Sequence, residues 1–422
     1  MRTSIALLLV LAAACGDDDA PRDAAADGNL PDAPPDAGAD APTTDAGTDA
    51  GSCEAGETPL RRRENAAAYD TTRDRLLVYG GNVAVVENCR PATENTDELW
   101  AFDPNCGSWQ QLTYTGGPGP RARHTMHYDE ANDRVILFGG RIGGDNITPF
   151  NDVWALDAET LAWTEISTSG TPPSPRFNHM SVLDSPRNRL IVFGGNGATG
   201  FISSPLGDAF ALDLDTGVWT EIDSSDGPGL RYYAAATRVG DTMYVFGGQD
   251  MFNVPYYNDL WALDLTTDTW SLVRDGGPDA PPQRFSSFLF HDAANNRLLI
   301  GAGHDATDLG NTNDLWALDL GSLTWTELQH GDTLNSRPLG MCRFPADFTT
   351  PDLNAPERRS AFAWAQSAGH GFVAFGSTDC GAVNDVWAAD FASSRWELVG
   401  NNSTSGEACN RSGAVGCTEL CF

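Results

Sequence analysis

The sequence has few basic residues and no long hydrophobic run. Its 422 residues include 26 Lys and Arg against 58 Asp and Glu, a formal net charge of -32. A chain this acidic repels phosphate backbones, and no local cluster of Lys or Arg offsets the repulsion. The longest apolar stretch, residues 5–14, is too short to cross a bilayer as a helix. Nucleic acid is therefore not an expected partner, and no membrane-spanning helix is expected.

The sequence also lacks the short motifs that mark common active sites. It contains no His-Glu-x-x-His, Gly-x-Ser-x-Gly or phosphate-binding loop. His124 and His127 lie three residues apart on a predicted strand, so they point to opposite faces and cannot share a metal. His124 and His179 occupy equivalent positions in adjacent repeats. A structural role is favoured for both, and the alternative is that they bind one metal ion together. We therefore expect no catalytic residue, no metal and no cofactor.

The first residues suggest export. An apolar run ends at Leu11-Ala12-Ala13-Ala14-Cys15, and an Asp-rich, Ala-rich and Pro-rich segment follows. The run resembles a bacterial lipoprotein signal, which implies that residues 1–15 are a signal peptide and that Cys15 carries a lipid anchor. Ordinary cleavage near the alanines is the alternative. The resemblance predicts a location on the periplasmic or outer surface of a bacterial envelope, with membrane contact through the anchor alone.

The composition divides the remaining chain into three parts. Residues 16–58 have almost no large apolar side chain and are predicted to be a disordered linker. Residues 59–400 form the folded region, and residues 401–422 are a Cys-containing tail. Eight cysteines other than Cys15 occur without Cys-x-x-Cys spacing, which in an exported chain predicts up to four disulfides. They are Cys53, Cys89, Cys106, Cys342, Cys380, Cys409, Cys417 and Cys421.

The folded region repeats a pattern of short strand-like pieces six times. One piece is an apolar run that ends in a glycine pair or its variant, at residues 76–81, 135–140, 190–195, 243–248, 298–303 and 372–377. The next piece follows the pattern Asn-Asp-x-Trp or a variant, at residues 97–103, 151–157, 207–213, 258–264, 313–319 and 384–390. A later Trp marks the fourth piece, at Trp109, Trp163, Trp219, Trp270, Trp325 and Trp396. Short runs rich in Val, Ile and aromatic residues predict strands.

These features resemble the kelch repeat, whose length of about 50 residues they share. The resemblance implies an all-β fold, a six-bladed β-propeller of four-stranded blades. A single blade cannot cover its own two faces, so blades stack around an axis until the ring closes. Each blade is predicted to take all four of its strands from one repeat, so that no strand is shared between the two chain ends. We therefore expect a disulfide from Cys53 to Cys409, Cys417 or Cys421 to tie the ring shut, with Cys89 to Cys106 and Cys342 to Cys380 as further pairs.

An arginine begins the first piece of each repeat. Some kelch proteins recognise acidic peptides with Arg at this position, and the resemblance carries that role to Arg62, Arg121, Arg176, Arg231, Arg284 and Arg358. Six guanidiniums around one channel mouth would attract an anionic peptide or a sugar acid. The alternative is that each Arg pairs with a nearby carboxylate, such as the Asp of the Asn-Asp-x-Trp pieces.

The loops on the same rim carry aromatic residues in repeats 3 to 5. They include Tyr232, Phe252, Tyr256 and Tyr257, and aromatic and Arg side chains are common anchors of protein interfaces. The sequence therefore predicts a monomeric propeller, not an enzyme, that binds a protein or a glycan through one rim. A sugar oxidase or epimerase and a purely structural envelope protein are the alternatives.

Overall fold

The protein is all-β in the part that the computed structural model describes. The described residues are 53, 56–84, 93–144, 146–197, 204–250, 256–305, 310–335, 349–378 and 381–400. These residues contain strands and two single-turn 3-10 segments, Glu130–Asn132 and Ser185–Arg187, but no α-helix. No helix in this part of the chain is long and apolar enough to cross a membrane. Cys15 and the predicted tail at 401–422 lie outside the described residues.

The strands form six antiparallel sheets, here called blades 1 to 6, each with four blade strands in chain order. Blade 1 contains Ala66–Asp70, Arg75–Tyr79, Leu99–Asp103 and Ser108–Leu112. Blade 2 contains Thr125–Asp129, Arg134–Phe138, Val153–Asp157 and Trp163–Glu165. Blade 3 contains Met180–Asp184, Arg189–Asn196, Pro205–Asp213 and Val218–Ile222, with Ser169–Gly170 added in parallel to the last strand.

The other three blades follow the same order. Blade 4 contains Ala235–Val239, Thr242–Phe246, Leu260–Asp264 and Thr269–Arg274. Blade 5 contains Phe288–Asp292, Arg297–Gly301, Leu315–Asp319 and Trp325–Gln329. Blade 6 contains Ala363–Gln366, His370–Ala374, Val386–Asp390 and Arg395–Gly400. Short paired strands extend the rim, at Arg141–Ile142 with Thr148–Pro149, His304–Asp305 with Gly310–Asn311, Thr333–Leu334 with Thr349–Thr350, and Ser377–Thr378 with both Arg359–Ser360 and Gly381–Ala382.

The first strands of the blades line a central channel, and the one in blade 1 contacts those of blades 2 and 6. Backbone hydrogen bonds join each blade to the next. The N–H of Gly81 in blade 1 donates to the Arg121 carbonyl at 2.9 Å, and equivalent bonds recur around the ring. The last one joins the chain ends, because the N–H of Gly376 donates to the Arg62 carbonyl at 3.0 Å. These observations confirm the β-propeller that the repeats predict.

The glycine pairs are required by this blade-to-blade contact. Gly194 has a φ of +61°, and a Cβ at this position would lie 2.5 Å from the Arg231 carbonyl oxygen of the next blade. Any larger residue would meet backbone that cannot move aside, and L residues also avoid this φ. The repeated glycine pair is therefore needed for the close approach between neighbouring blades.

The late Trp of each repeat packs between blades. The ring centres of Trp219 in blade 3 and Phe138 in blade 2 are 5.5 Å apart. Those of Trp270 in blade 4 and Phe193 in blade 3 are 4.9 Å apart. Blade 5 has Gly301 in the aromatic position, and Trp396 of blade 6 instead packs on Phe288 at 5.6 Å. The indoles are core residues, as the repeat pattern indicates.

The disulfide in the structure differs from the predicted pairs. Cys53 bonds to Cys106, so the predictions that pair Cys53 with the C-terminal tail and Cys106 with Cys89 are wrong. The physical reason is the path of the first described residues, because Glu57 pairs with Trp109 and places this segment beside the fourth strand of blade 1. Cys89, Cys342, Cys380, Cys409, Cys417 and Cys421 lie outside the described residues.

Candidate functional site

The arginines predicted to face a ligand are buried in ion pairs. Arg121 forms two bonds to Asp152, both at 2.8 Å, and its guanidinium also donates to the Gly139 carbonyl. The equivalent pairs are Arg62 with Glu98, Arg176 with Asp208, Arg231 with Asp259 and Arg284 with Asp314. All five arginine side chains are at most 1% exposed. Of the two alternatives for these arginines, the structure has the one in which each pairs with a nearby carboxylate, and not the one in which they face a ligand.

In blade 6 the equivalent residue is Arg359, not Arg358. Arg359 pairs with Asp385 at 2.5 and 2.8 Å and donates to the Phe375 carbonyl. Arg358 is also buried, but its Nε donates to the Asn311 carbonyl at 2.6 Å. The assignment of Arg358 to the repeated position is therefore wrong by one residue. The chain has two consecutive arginines at this point, and only the register of the sheet distinguishes them.

A different set of six residues surrounds the channel entrance. Each lies two positions after the buried arginine of its blade and has a φ between 53° and 63°. Their backbones are hydrogen-bonded in sequence around the axis; for example, the Arg123 N–H donates to the Glu64 carbonyl at 2.7 Å. In blade 6 the Ala361 N–H donates instead to the Ser286 hydroxyl at 2.8 Å. We call this set the mouth ring: Glu64, Arg123, Asn178, Tyr233, Ser286 and Ala361.

The mouth ring opens into a cavity of about 820 Å³ that follows the channel. Alanines of the first strands, such as Ala67 and Ala236, provide much of the apolar lining. Asn178, which is 8% exposed, lies next to Tyr233 in the mouth ring, and its side-chain amide acts as a hydrogen-bond partner of the Tyr233 phenol.

Two guanidiniums share one carboxylate at the mouth. Arg123 donates to Glu64 at 2.6 Å, and Arg141 donates to the other oxygen of Glu64 at 3.3 Å. Burial alone would raise the pKa of Glu64, but the charges of Arg123, Arg141 and Arg63 outweigh it and lower that pKa to about 2. The carboxylate is therefore ionised at neutral pH. The Glu64 and Arg141 side chains are 8% and 7% exposed, while Arg123 is 21% exposed.

Aromatic residues continue from the mouth across blades 4 and 5. The Arg123 guanidinium carbon lies 5.3 Å from the centre of the Tyr233 ring. Tyr233 packs on Phe285 at 5.2 Å, and Phe285 packs on Tyr256 and on His304, both at 5.0 Å. All four aromatic side chains are partly exposed. We call Tyr233, Phe285, Tyr256 and His304 the aromatic strip.

The other predicted binding residues have different surroundings. Tyr232 is 4% exposed and stacks beside Tyr233 at 5.5 Å. Tyr257 donates to Asp250 at 2.9 Å and covers the Arg231 guanidinium at 4.3 Å, so it belongs to the buried pair of blade 4. Phe252 lies outside the described residues. Tyr256 belongs to the strip, together with Tyr233, Phe285 and His304 of the same predicted rim.

Two of the histidines of blades 2 and 3, His127 and His179, contact hydroxyl groups of neighbouring strands. His127 Nε2 is 2.7 Å from the Ser181 hydroxyl, and His179 Nε2 is 3.0 Å from the Thr125 hydroxyl. Burial lowers the pKa of His127 to about 4, and it also lowers those of His124 and His179. Within the described part of the chain, no group of three or more His, Cys, Asp or Glu residues has an arrangement that holds a metal.

The sequence pattern did not single out Glu64, Arg123 or Arg141. The mouth-ring position has six different residue types in the six blades, so it gives no repeat signal. Counting two residues forward from each buried arginine would have located it, provided that Arg359 was used in blade 6. The variation itself indicates specificity, because the backbone role of the position is the same in every blade.

Comparison with known proteins agrees with this architecture. A family model described as the KLHDC2/KLHL20/DRC7 Kelch-repeats domain matches residues 52–224 and 130–344. Acyl-CoA-binding domain-containing protein 5 of Arabidopsis thaliana is 30% identical over 47% of this chain and 28% of its own length. Human host cell factor 1 is 28% identical over 60% of this chain and 14% of its length. Kelch domain-containing protein 10 of Xenopus tropicalis is 27% identical over 65% of this chain and 66% of its length.

The chain thus spans between 14% and 66% of the length of these three relatives. They come from a plant, from human and from a frog, and a further relative comes from a fission yeast. This finding contradicts the predicted location on a bacterial envelope, which is wrong: the relatives are eukaryotic kelch, acyl-CoA-binding and host cell factor proteins. The matched family model covers more than half of the sequence, and the described sheets form a propeller, so the chain belongs to the kelch-repeat family.

Proposed function

We propose that this chain is a protein-binding kelch propeller that holds an acidic segment of its partner at the channel mouth, with Arg123 as the main contact. The observation that supports the proposal is the sharing of Glu64 by Arg123 and Arg141, which leaves an excess of positive charge. Arg123 is the more exposed of the two guanidiniums. A kelch propeller fits a protein-interaction role, and its variable mouth residues fit recognition.

The electrostatics of the mouth favour an added anion. Burial lowers the pKa of Arg141, and the neighbouring charge of Arg123 lowers it further. This second effect is a repulsion between two cations, which Glu64 opposes through its charge and its hydrogen bond. A carboxylate from a partner would relieve the repulsion and accept charge-assisted hydrogen bonds, which are worth about 1.5–3 kcal/mol each.

The proposal is tested with fluorescent peptides of matched length that carry Glu, Gln or Lys at each position. Binding to the full chain is followed by fluorescence anisotropy at fixed ionic strength. We expect the Glu peptides to bind most tightly, and we expect R123Q to weaken their binding about 10- to 100-fold because it removes one charge-assisted contact. R123K retains the charge and is expected to restore part of the affinity.

The matched control is Arg187→Gln. Arg187 is also an ion-paired arginine with partial exposure, but it lies in the hairpin between the first and second strands of blade 3, at the opposite end of that first strand from the mouth. This variant should bind the Glu peptides as the parent does. Equal affinity for Glu and Gln peptides, or equal binding by R123Q and the parent, would refute the proposal.

A glycan is the other ligand class that the sequence predicts. When it contains a uronic acid, it also presents a carboxylate to Arg123. Uronic-acid oligosaccharides in the same assay distinguish the two ligand classes, because the proposal expects the peptides to bind more tightly. The alternative of a sugar oxidase or epimerase stays a prediction from the sequence, whereas the structural envelope protein required the envelope location that the eukaryotic relatives contradict.

A further inference from the structure

The aromatic strip is not explained by the kelch repeat. The residue before each mouth-ring position pairs with the start of the loop between the second and third strands, and blade 5 has Phe285 with His304 in these places. The position of Phe285 is also aromatic in blades 3 and 4, as Phe177 and Tyr232, but it is Arg63 in blade 1, Ala122 in blade 2 and Ser360 in blade 6. The position of His304 is not aromatic in any other blade. The backbone contact therefore tolerates many side chains. Aromatic residues in blade 5 are a property of this chain, not a demand of the fold.

The strip is held in place by backbone pairing. Phe285 and His304 exchange two backbone hydrogen bonds, at 3.1 and 2.9 Å, and their rings stack with an interplanar angle of 28°. Tyr256 meets the Phe285 ring edge-on, at 65°. Rings fixed by a sheet lose little conformational entropy when a ligand binds, which suits them to act as a preformed contact surface.

The strip also begins at the proposed anion site. Tyr233 belongs to the mouth ring and lies under the Arg123 guanidinium, and Phe285 is its next neighbour outward. In an extended peptide, residues two apart are about 7 Å from each other and point to the same side. A side chain placed near Phe285 and Tyr256 would therefore come from two positions beside the group that contacts Arg123.

The strip is uncharged at neutral pH. Burial lowers the pKa of His304 to about 4, although Asp305 acts in the opposite direction. Burial also raises the pKa values of the Tyr233 and Tyr256 phenols. Neutral, partly exposed rings next to a cation favour a ligand that combines an apolar planar group with an anion.

We infer that the aromatic strip is a specificity subsite for an aromatic side chain that lies two positions from the acidic residue bound by Arg123. The inference rests on the proposed function and defines its ligand: a peptide segment in which an acidic and an aromatic residue are close neighbours. Arg123 provides the charge recognition, and Phe285 and Tyr256 provide a stacking surface.

The test uses two fluorescent peptides that differ at one residue, Glu-x-Phe and Glu-x-Ala, with the full chain. We expect the Phe peptide to bind about three- to tenfold more tightly, a factor typical of one aromatic pair. The variants are Tyr256→Ala and Phe285→Leu, which should bring this affinity ratio to about one. Arg123→Gln should weaken both peptides by the same factor and leave the ratio unchanged.

The matched control is Tyr128→Ala, a partly exposed tyrosine on the first strand of blade 2, beyond the mouth. It should leave both affinities and their ratio as in the parent. Thermal unfolding followed by circular dichroism establishes that each variant is folded. If Phe285→Leu does not fold, the test uses Tyr256→Ala alone. If Glu peptides bind through Arg123 but the Phe preference is absent or survives Tyr256→Ala, the subsite is refuted and the proposed function stands. If no Glu peptide binds, both are refuted.

Discussion

At the scale of single residues, one carboxylate explains why the Asp-x-Trp pattern recurs. Asp385 accepts two bonds from the Arg359 guanidinium, and its Oδ2 also accepts the indole N–H of Trp387 at 2.9 Å. Blade 1 uses a longer carboxylate for the same purpose, because Glu98 accepts from both Arg62 and Trp100. The motif is therefore a hydrogen-bonding unit that fixes the third strand against the start of the first.

We expect substitution of one of these buried arginines to reduce stability strongly. Arg359→Gln would leave Asp385, which is only 10% exposed, with an uncompensated charge. The expected loss is about 3–5 kcal/mol of the free energy of unfolding. It is measured by urea denaturation at pH 7, with Arg187→Gln as the control.

The control should lose less than about 1 kcal/mol, because one partner of Arg187, Asp241, is 59% exposed, and its buried partner Asp184 keeps a second ion pair with Arg189. The comparison also distinguishes the two roles considered for the repeated arginines, a buried ion pair and a contact with a ligand. A loss near that of the control would mean that Arg359 is not a buried structural residue.

At the scale of the elements, the first strands do not pack equally around the channel. Those of blades 1 and 2 and of blades 3 and 4 are closely packed, and small residues such as Ala66 and Ala236 face these contacts. Blades 2 and 3 and blades 5 and 6 approach less closely, and side chains bridge them instead. His127 reaches Ser181 at the first junction, and the Gln366 amide bonds to both backbone groups of His291 at the second.

The junction between blades 2 and 3 should make stability depend on pH. Burial lowers the pKa of His127 to about 4, against about 6.5 in an unfolded chain. The unfolded state therefore takes up the proton first as the pH falls. The contribution of neutral His127 is fully present above pH 6.5 and is lost between pH 6.5 and pH 4, by about 2 kcal/mol at pH 5.

This loss is measured by comparing urea denaturation at pH 7 and pH 5 for the parent and for His127→Gln. The variant cannot be protonated at this position, so its stability should fall less between the two pH values. His330→Gln, at a side chain that is 75% exposed, is the control and should behave as the parent does. An identical decline in the parent and in His127→Gln would contradict the role assigned to this histidine.

The strands could be predicted from the sequence because their signals repeat. Glycine pairs, the Asp-x-Trp pattern and the late Trp each respond to a contact that every blade makes, so six copies reinforce one another. Features that occur once could not be predicted in this way. Arg123 and Arg141 are brought to Glu64 by the sheet register, and the choice between Arg358 and Arg359 depends on the same register.

At the scale of the whole molecule, the described residues close the ring with the same kind of backbone hydrogen bond that joins the other blades. The Glu64 N–H donates to the Ala361 carbonyl at 2.7 Å, which joins blade 1 to blade 6 with the same bond that joins other neighbours. The side-chain amide of Asn384 adds a bond to the Pro59 carbonyl. The disulfide lies elsewhere, because Cys53 and Cys106 join the start of the folded region to blade 1 itself.

The position of this disulfide predicts how its removal acts. Replacing both cysteines in Cys53→Ser/Cys106→Ser opens a loop with a sequence separation of 53 residues, which should cost about 2–4 kcal/mol through the greater entropy of the unfolded chain. The blade-to-blade bonds remain, so calorimetry should still show one transition at a lower temperature, and binding of Glu peptides should be unchanged. A separate early transition would contradict this expectation, because it would mean that part of the ring depends on a disulfide that lies within blade 1 and its preceding segment.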